Sequence, residues 1–316
     1  MRTLVTGATG FVGTALLARL SADGASCVAA VRCQIELQHA GVRQSVIGDL
    51  SPKTQWSHAL VDVDVVVHLA ARVHVMHDTT ANPLAEFRKI NVQATLNLAR
   101  QAVEVGVRRF IFVSSVKVNG ESTADGAPFM AEDSPSPADP YGVTKMEAEK
   151  GLREIALSTG MEVVIIRAPL VYGPGVKANF AALMRAVQRG WPMPFGAVHN
   201  CRSLVALDNL VDLIVVCLEH PQASNQTFLV SDGRDLSTNE LVRGIACALG
   251  VPVRLLPIPI WTLRGIGVVI GKKDVVERLT SNLQVDISKA YQLLGWVPPV
   301  SVEEGLRQTV AEFRKS

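Results

Sequence analysis

Tyr141 and Lys145 lie four positions apart, a spacing that on a helix sets a phenol and an amine on one face, one turn apart. An isolated phenol titrates near about 10, too high for ready proton exchange at neutrality, and a neighbouring ammonium favours the phenolate. The pair therefore predicts a proton-transferring tyrosine whose pKa is lowered by lysine. Upstream, Phe112 and Val113 lead into Ser114 and Ser115, and a hydroxyl at such a strand end can hold a substrate oxygen beside Tyr141. Near the start the chain reads Thr6-Gly7-Ala8-Thr9-Gly10-Phe11-Val12-Gly13. In such an opening Gly7 permits a tight turn, Gly10 lets the main chain approach a pyrophosphate, and Gly13 lets a helix pack closely on a sheet. The helix that follows offers free N–H groups and a favourable dipole to phosphate. Glycine opening and Tyr–Lys pair together predict hydride chemistry on a bound nicotinamide dinucleotide.

Other residues fall where such a cofactor would lie. Ala29-Ala30-Val31 runs into Arg32, where an NAD site usually carries a carboxylate, and a guanidinium there suits the 2′-phosphate of NADP. NADP(H) is therefore the favoured cofactor and NAD(H) the alternative; Arg43 has no positional argument. Asp49 and Leu50, after the third strand, are placed to bond and pack on the adenine. Leu69, Ala70 and Ala71 end a central strand with side chains small enough for a cofactor to pass.

These residues need a scaffold of alternating strands and helices. β-Branched runs at 3–6, 27–31, 45–47, 63–69, 110–114 and 163–167 alternate with helical stretches at 13–20, 94–105 and 141–158, which predicts an α/β, Rossmann-like, doubly wound parallel sheet. Asp139 before Pro140 is a helix cap. Residues 63–69 are apolar almost throughout, as a strand covered on both faces requires. Beyond Pro169 the rhythm changes, so residues 1–170 are read as the dinucleotide-binding domain. Residues 171–316 are read as a smaller mixed α/β substrate-binding domain, with returns to the sheet near 205–230.

The 316 residues carry a formal net charge of +2, with 48% hydrophobic and 19% charged side chains. This is a globular balance that implies no nucleic-acid partner. Five scattered cysteines, Cys27, Cys33, Cys201, Cys217 and Cys247, give neither a disulfide framework nor a zinc motif. His74 and His77 have no third ligand at suitable spacing, so no metal is expected. Residues 258–270 form the most apolar run, interrupted by Pro259, Arg264 and glycines. They are too short to span a bilayer and read as a buried or surface-lying helix. The first residues read as a strand rather than a signal peptide, so a cytoplasmic location is expected.

The chain resembles the extended short-chain dehydrogenase/reductases of the nucleotide-sugar epimerase/dehydratase family. The resemblance rests on the TGxxGxxG opening (Gly7, Thr9, Gly10, Phe11, Val12, Gly13), Asp49, His68-Leu69-Ala70-Ala71, Asn91, Ser115, Tyr141 with Lys145, and Val171-Tyr172-Gly173-Pro174-Gly175. The closing Asp286-Ile287-Ser288-Lys289-Ala290 and Leu294-Gly295-Trp296 match as well. It implies that Tyr141 exchanges the proton at the sugar oxygen, that Lys145 binds the nicotinamide ribose, and that Ser115 positions the reacting oxygen. It further implies a UDP-sugar substrate contacted by Ser115, Lys117 and Arg202, with Asn179, Arg278 and Lys177 weaker candidates for the same pocket, and a homodimer.

Departures from the family pattern bear on the reaction. Dehydratases carry an acid–base pair where Val116 and Lys117 stand, which disfavours elimination of water. Asn119 stands where epimerases have Tyr, and this stretch is similar to the 4-keto reductases of O-antigen sugar synthesis. With Arg32, this makes reduction of a UDP-4-keto-6-deoxy-N-acetylhexosamine the leading expectation and NAD-dependent C4 epimerisation the alternative. A non-catalytic NADP-binding sensor ranks last, because Tyr141 and Lys145 are both present.

Overall fold

The computed structural model describes residues 1–36, 39–73 and 82–315. Its centre is a seven-stranded, all-parallel sheet. The strands are β1 (Arg2–Thr6), β2 (Ser26–Val31), β3 (Val42–Val46), β4 (Val65–His68), β5 (Arg109–Ser115), β6 (Glu162–Ala168) and β9 (Thr227–Leu229), in the order β3-β2-β1-β4-β5-β6-β9. The order reverses between β1 and β4, so the crevice beyond their C-terminal ends is where an open sheet of this kind binds ligands. A separate pair, β7 (Leu170–Tyr172) and β8 (Leu204–Ala206), lies outside it.

The central strands are apolar because both faces are covered. On one side α1 (Phe11–Ala22) and α6 (Leu207–Glu219) bury Leu16, Leu17, Leu210 and Ile214 against Val5, Val67 and Ile111. On the other, α3 (Thr95–Glu104) and α4 (Pro140–Thr159) bury Leu98, Ala99, Ala148 and Leu152 against Leu4, Val66 and Phe110. A third core gathers Tyr172, Phe180, Met184, Val242, Ile245 and Leu306 from β7, α5 (Ala178–Gln188), α7 (Thr238–Leu249) and α11 (Val302–Phe313).

Helix α4 begins where sequence places it. Asp139 Oδ1 accepts from Gly142 N at 2.7 Å, and Pro140 occupies the first turn. Other elements differ from expectation. The third strand forms at 42–46 rather than 45–47, because Cys27 to Val31 of β2 pair in register with Val42 to Val46. Residues 89–94, expected to open into helix only at Ala94, form a wide π-helical turn joining α2 (Pro83–Arg88) to α3. The return to the sheet is β9, which pairs Thr227 with Ile165, whereas 207–218 is helix α6 lying on the sheet. The remaining helices are α8 (Ile260–Val269), α9 (Lys273–Thr280) and α10 (Ser288–Leu294).

Candidate functional site

The opening loop closes tightly over the switch point. Gly7 has φ of +65°, and a Cβ there would come within 2.9 Å of Ala70 N, so only glycine fits both the backbone and the space. A Cβ on Gly13 would lie 2.1 Å from Gly7 O, which brings α1 against the loop. Gly10 caps α1 in extended conformation with no side-chain acceptor. The first N–H groups of the helix therefore point out unsatisfied beside Gly10, Phe11 and Val12. This donor set fits a dinucleotide pyrophosphate.

Leu69 N and Ala70 N both donate to Thr6 Oγ1 at 3.2 Å. The Thr6 hydroxyl proton then points to His68 Nδ1, 2.7 Å away, which assigns the imidazole proton to Nε2 facing Thr95 Oγ1 at 2.9 Å. Burial, reinforced by the nearby charge of Lys145, pulls His68 down to about 3, so it is a neutral brace at neutral pH. Asn91, expected at the cofactor, is buried and its amide is engaged elsewhere. Oδ1 accepts from Arg72 N at 2.8 Å, while Nδ2 donates to Arg72 O at 3.0 Å and to Thr144 Oγ1 at 3.1 Å. It ties the segment after β4 to α4.

At the outer edge of the crevice Arg32 and Asp49 leave adjacent strand ends and face each other at 3.9 Å, with side chains 84% and 92% exposed. The site thus offers a guanidinium and a carboxylate at the same place. Leu50 is half-buried against the core on the α3 side, and Ala71 is half-buried at the end of the segment after β4. Arg43 is exposed on β3.

Helix α4 delivers Tyr141 and Lys145 to the end of β5. Lys145 is buried; its Nζ donates to Val113 O at 2.8 Å and sits 4.3 Å from the Phe112 ring centroid and 5.9 Å from that of Tyr141. Burial pulls the amine down to about 7 against the attraction of Glu149. The expectation of a lowered tyrosine pKa is corrected. Burial, followed by the negative charge of Asp139, pushes the Tyr141 phenol up. Ser114 is not at the site but beneath it: its hydroxyl donates to buried Glu149 at 2.6 Å, and Glu149 pairs with buried Arg167 at 2.7 Å. Asn119 belongs to the same network, accepting from Arg167 Nη1 at 3.1 Å and donating to Met130 O at 2.9 Å.

Ser115 and Tyr141 line a cavity of about 880 Å³ whose far wall belongs to α5, α7 and α9. Lys117, Lys177, Asn179, Arg202 and Arg278 line it too, so the sequence-selected residues converge. Lys117, expected to contact substrate, is already ion-paired where it lines the cavity. Its ammonium donates to Asp139 Oδ2 at 2.5 Å and to Glu121 Oε1 at 3.0 Å. Burial lowers its pKa, but these two carboxylates more than offset that and raise it overall. Arg202 is held by Ser281 O at 3.1 Å, and burial and the charge of Arg278, opposed by Glu121, lower its pKa. Among the described residues Lys177, Arg202, Lys272 and Arg278 pair with no carboxylate.

Sequence reasoning missed Glu121, Phe195, Ser237 and Lys272 as cavity residues. Only Lys272 had a local signal, a basic pair directly after the apolar run 258–270. His74 and His77 lie outside the described residues. Among the described residues no group of three or more His, Cys, Asp or Glu side chains is placed to hold a metal ion.

Comparison with known proteins agrees with this geometry. UDP-glucose 4-epimerase of Vibrio cholerae is 52% identical over 312 residues, covering 98% of this chain and 94% of that protein. The solved UDP-glucose 4-epimerase of Thermotoga maritima with UDP-glucose superposes at a TM-score of 0.78 with 26% identity, covering 100% of this chain and 99% of that one. MoeE5 in complex with UDP-glucuronic acid and NAD superposes at 0.80, also with 26% identity and with coverage of 100% and 99%. The description of the NAD dependent epimerase/dehydratase family fits residues 3–231, and the chain belongs to that family.

Proposed function

We propose that the protein interconverts the C4 epimers of a UDP-sugar on a tightly held NAD. The observation that carries this is one cavity lined by Ser115 and Tyr141 together with Lys177, Arg202, Lys272 and Arg278, four cations that pair with no carboxylate among the described residues. The arginines suit a diphosphate, which a planar guanidinium grips with paired hydrogen bonds. Ser115 and Tyr141 hold the C4 oxygen. Tyr141 takes the proton from the C4 hydroxyl and later returns it, and Lys145, titrating near neutrality, supports that exchange through its charge. NAD, when bound, supplies reversible hydride exchange at C4, and its pyrophosphate is held by the N-terminus of α1.

Reduction of a 4-keto sugar, the leading expectation from sequence, gives way to the epimerase for three reasons. The relationship to the Vibrio cholerae epimerase supports the alternative. Asn119 is part of the buried Arg167 network, so its difference from the epimerase pattern reports on packing rather than on the fate of the hydride. Arg32 stands beside Asp49, a carboxylate able to accept from a ribose hydroxyl, so the argument for NADP loses its force. A homodimer belongs to the same proposal and is checked by sedimentation equilibrium.

The test is to denature purified protein, identify any released dinucleotide, and assay UDP-glucose to UDP-galactose turnover without added cofactor. About one NAD per chain and cofactor-independent turnover, with deuterium at C4 retained in the product, is expected. Consumption of NADPH in proportion to product would overturn the epimerase and establish the reductase, for which exposed Arg32 is the supporting observation. Turnover of either kind excludes a sensor.

A further inference from the structure

Apart from Leu263 and Gly267, the apolar run at 258–270 is not buried. It forms α8, which folds back on α9 through the turn at Gly271. The inner stripe of α8 is Leu263 and Gly267, and a Cβ on Gly267 would meet Val276 Cγ2 at 2.7 Å, so the two helices are in close contact there. The outer side is bare. Trp261 is 77% exposed and Val269 86%, with Ile266, Val268 and Ile270 also more than half exposed. Of the 18 large apolar side chains exposed among the described residues, seven lie between 256 and 275. Single exposed apolar residues are ordinary, but such a concentration marks a contact surface.

We propose that this hairpin seats the protein on an anionic lipid bilayer surface. The composition of its tip selects that occupant. Residues 265–271 read Gly-Ile-Gly-Val-Val-Ile-Gly, seven positions without one side chain able to form a hydrogen bond. A protein partner is registered by polar groups around an apolar centre, and this tip offers none, whereas the edge of the acyl region requires none. Trp261, at the start of α8, is the residue type that settles at the membrane–water boundary. Lys272 and Lys273 follow the tip directly and pair with no carboxylate among the described residues, and the carboxylate of Glu277 is engaged by Arg264 at 3.2 Å. An apolar tip followed by the unpaired ammonium of Lys273, with that of Lys272 lining the cavity beside it, is complementary to headgroup phosphates over acyl chains. The inner side of α9 meanwhile lines the cavity through Val275, Arg278 and Leu279, so docking would place one wall of the site against the membrane. The proposal does not depend on the reaction assigned above.

The test uses the full chain with extruded vesicles of phosphatidylglycerol and phosphatidylcholine, against vesicles of phosphatidylcholine alone. Cosedimentation at least tenfold stronger with the anionic vesicles, and weakened by salt, is expected. The double variant Trp261→Ser, Val269→Glu should lose that binding at least tenfold, and Lys273→Glu should shift its salt dependence to lower concentration. The thermal midpoint and turnover of the double variant should match the parent, since none of these three residues lines the cavity. Equal binding by parent and double variant overturns the proposal, as does no binding by the parent. So does a parent that dimerises without binding vesicles while the double variant is monomeric, which would assign the patch to a second copy of the chain.

Discussion

Taking an ammonium out of water costs more than taking out a neutral amine, and the surroundings of Lys145 return little of that cost. Its Nζ has one carbonyl acceptor, Val113 O, and an aromatic face, Phe112. The amine therefore titrates at about 7 in the folded chain and at about 10.4 in the unfolded one. Between those values the unfolded chain binds more protons, so the contribution of Lys145 to stability rises with pH across this window and is absent below it. Lys145→Met should abolish that rise: from pH 6.5 to 10 the parent should gain on the order of 2–4 kcal/mol relative to the variant, measured by denaturant titration at each pH. Tyr141 is pushed the other way, so the phenolate that takes the C4 proton would need the positive charges of Lys145 and of a bound nicotinamide beside it. Tyr141→Phe should lower kcat roughly 10²–10⁴-fold, the range for a lost general acid or base, with NAD content unchanged. Near-parental turnover in steady-state assays would remove the tyrosine from the proposal. The identities of both residues were legible in the spacing of one helix. The direction of their titration was not, because it depends on depth, and depth depends on what the rest of the chain lays over that helix.

Elements meet at the site through a few fastenings. Lys117, just beyond β5, reaches Asp139 at the N-terminus of α4 and Glu121 on its own loop. That ammonium bolts the end of β5, which bears Ser115, to the helix bearing Tyr141. Lys117→Met should lower kcat by about tenfold with little change in KM, as expected when reacting groups are misplaced rather than removed. Lys117→Arg should restore most of it, and a KM rise without a kcat loss would return Lys117 to the substrate. A tighter fastening joins α1 to the loop before it, where Gly13→Ala would drive a methyl into Gly7 O. Overpacking against backbone costs about 1–3 kcal/mol, to be read as a fall in thermal midpoint. The glycines of that loop were legible because glycine is the residue that cannot be replaced there. The pair β7 and β8 was not, since three residues per strand are too few to show a period. Glu121 and Lys272 escaped for another reason: each reaches the cavity from an element whose position only the tertiary fold determines.

At the scale of the molecule the chain does not separate where its rhythm changes. Beyond Pro169 it returns as β9 to pair with β6. Near its end it returns again, with Ala290, Leu294 and Trp296 completing the core that contains α1 and β1. Trp296 Nε1 donates to Asp212 on α6 at 3.0 Å. Thermal unfolding should therefore be a single transition, with tryptophan fluorescence and far-ultraviolet dichroism tracing coincident curves. A fragment of residues 1–170, deprived of the partners of Ile166 and Ile111, should lack cooperative unfolding by the same two probes. Two separated transitions would contradict this dependence.

Asn91 offers a different kind of handle. By accepting from Arg72 N and donating to Arg72 O, its side chain imitates a neighbouring peptide, and a residue outside every strand is paired as though it lay within one. The amide proton of Arg72 should thus exchange with deuterium as slowly as those of the adjoining sheet. Its exchange rate becomes a clock for each separation of the segment after β4 from the helix that carries Tyr141.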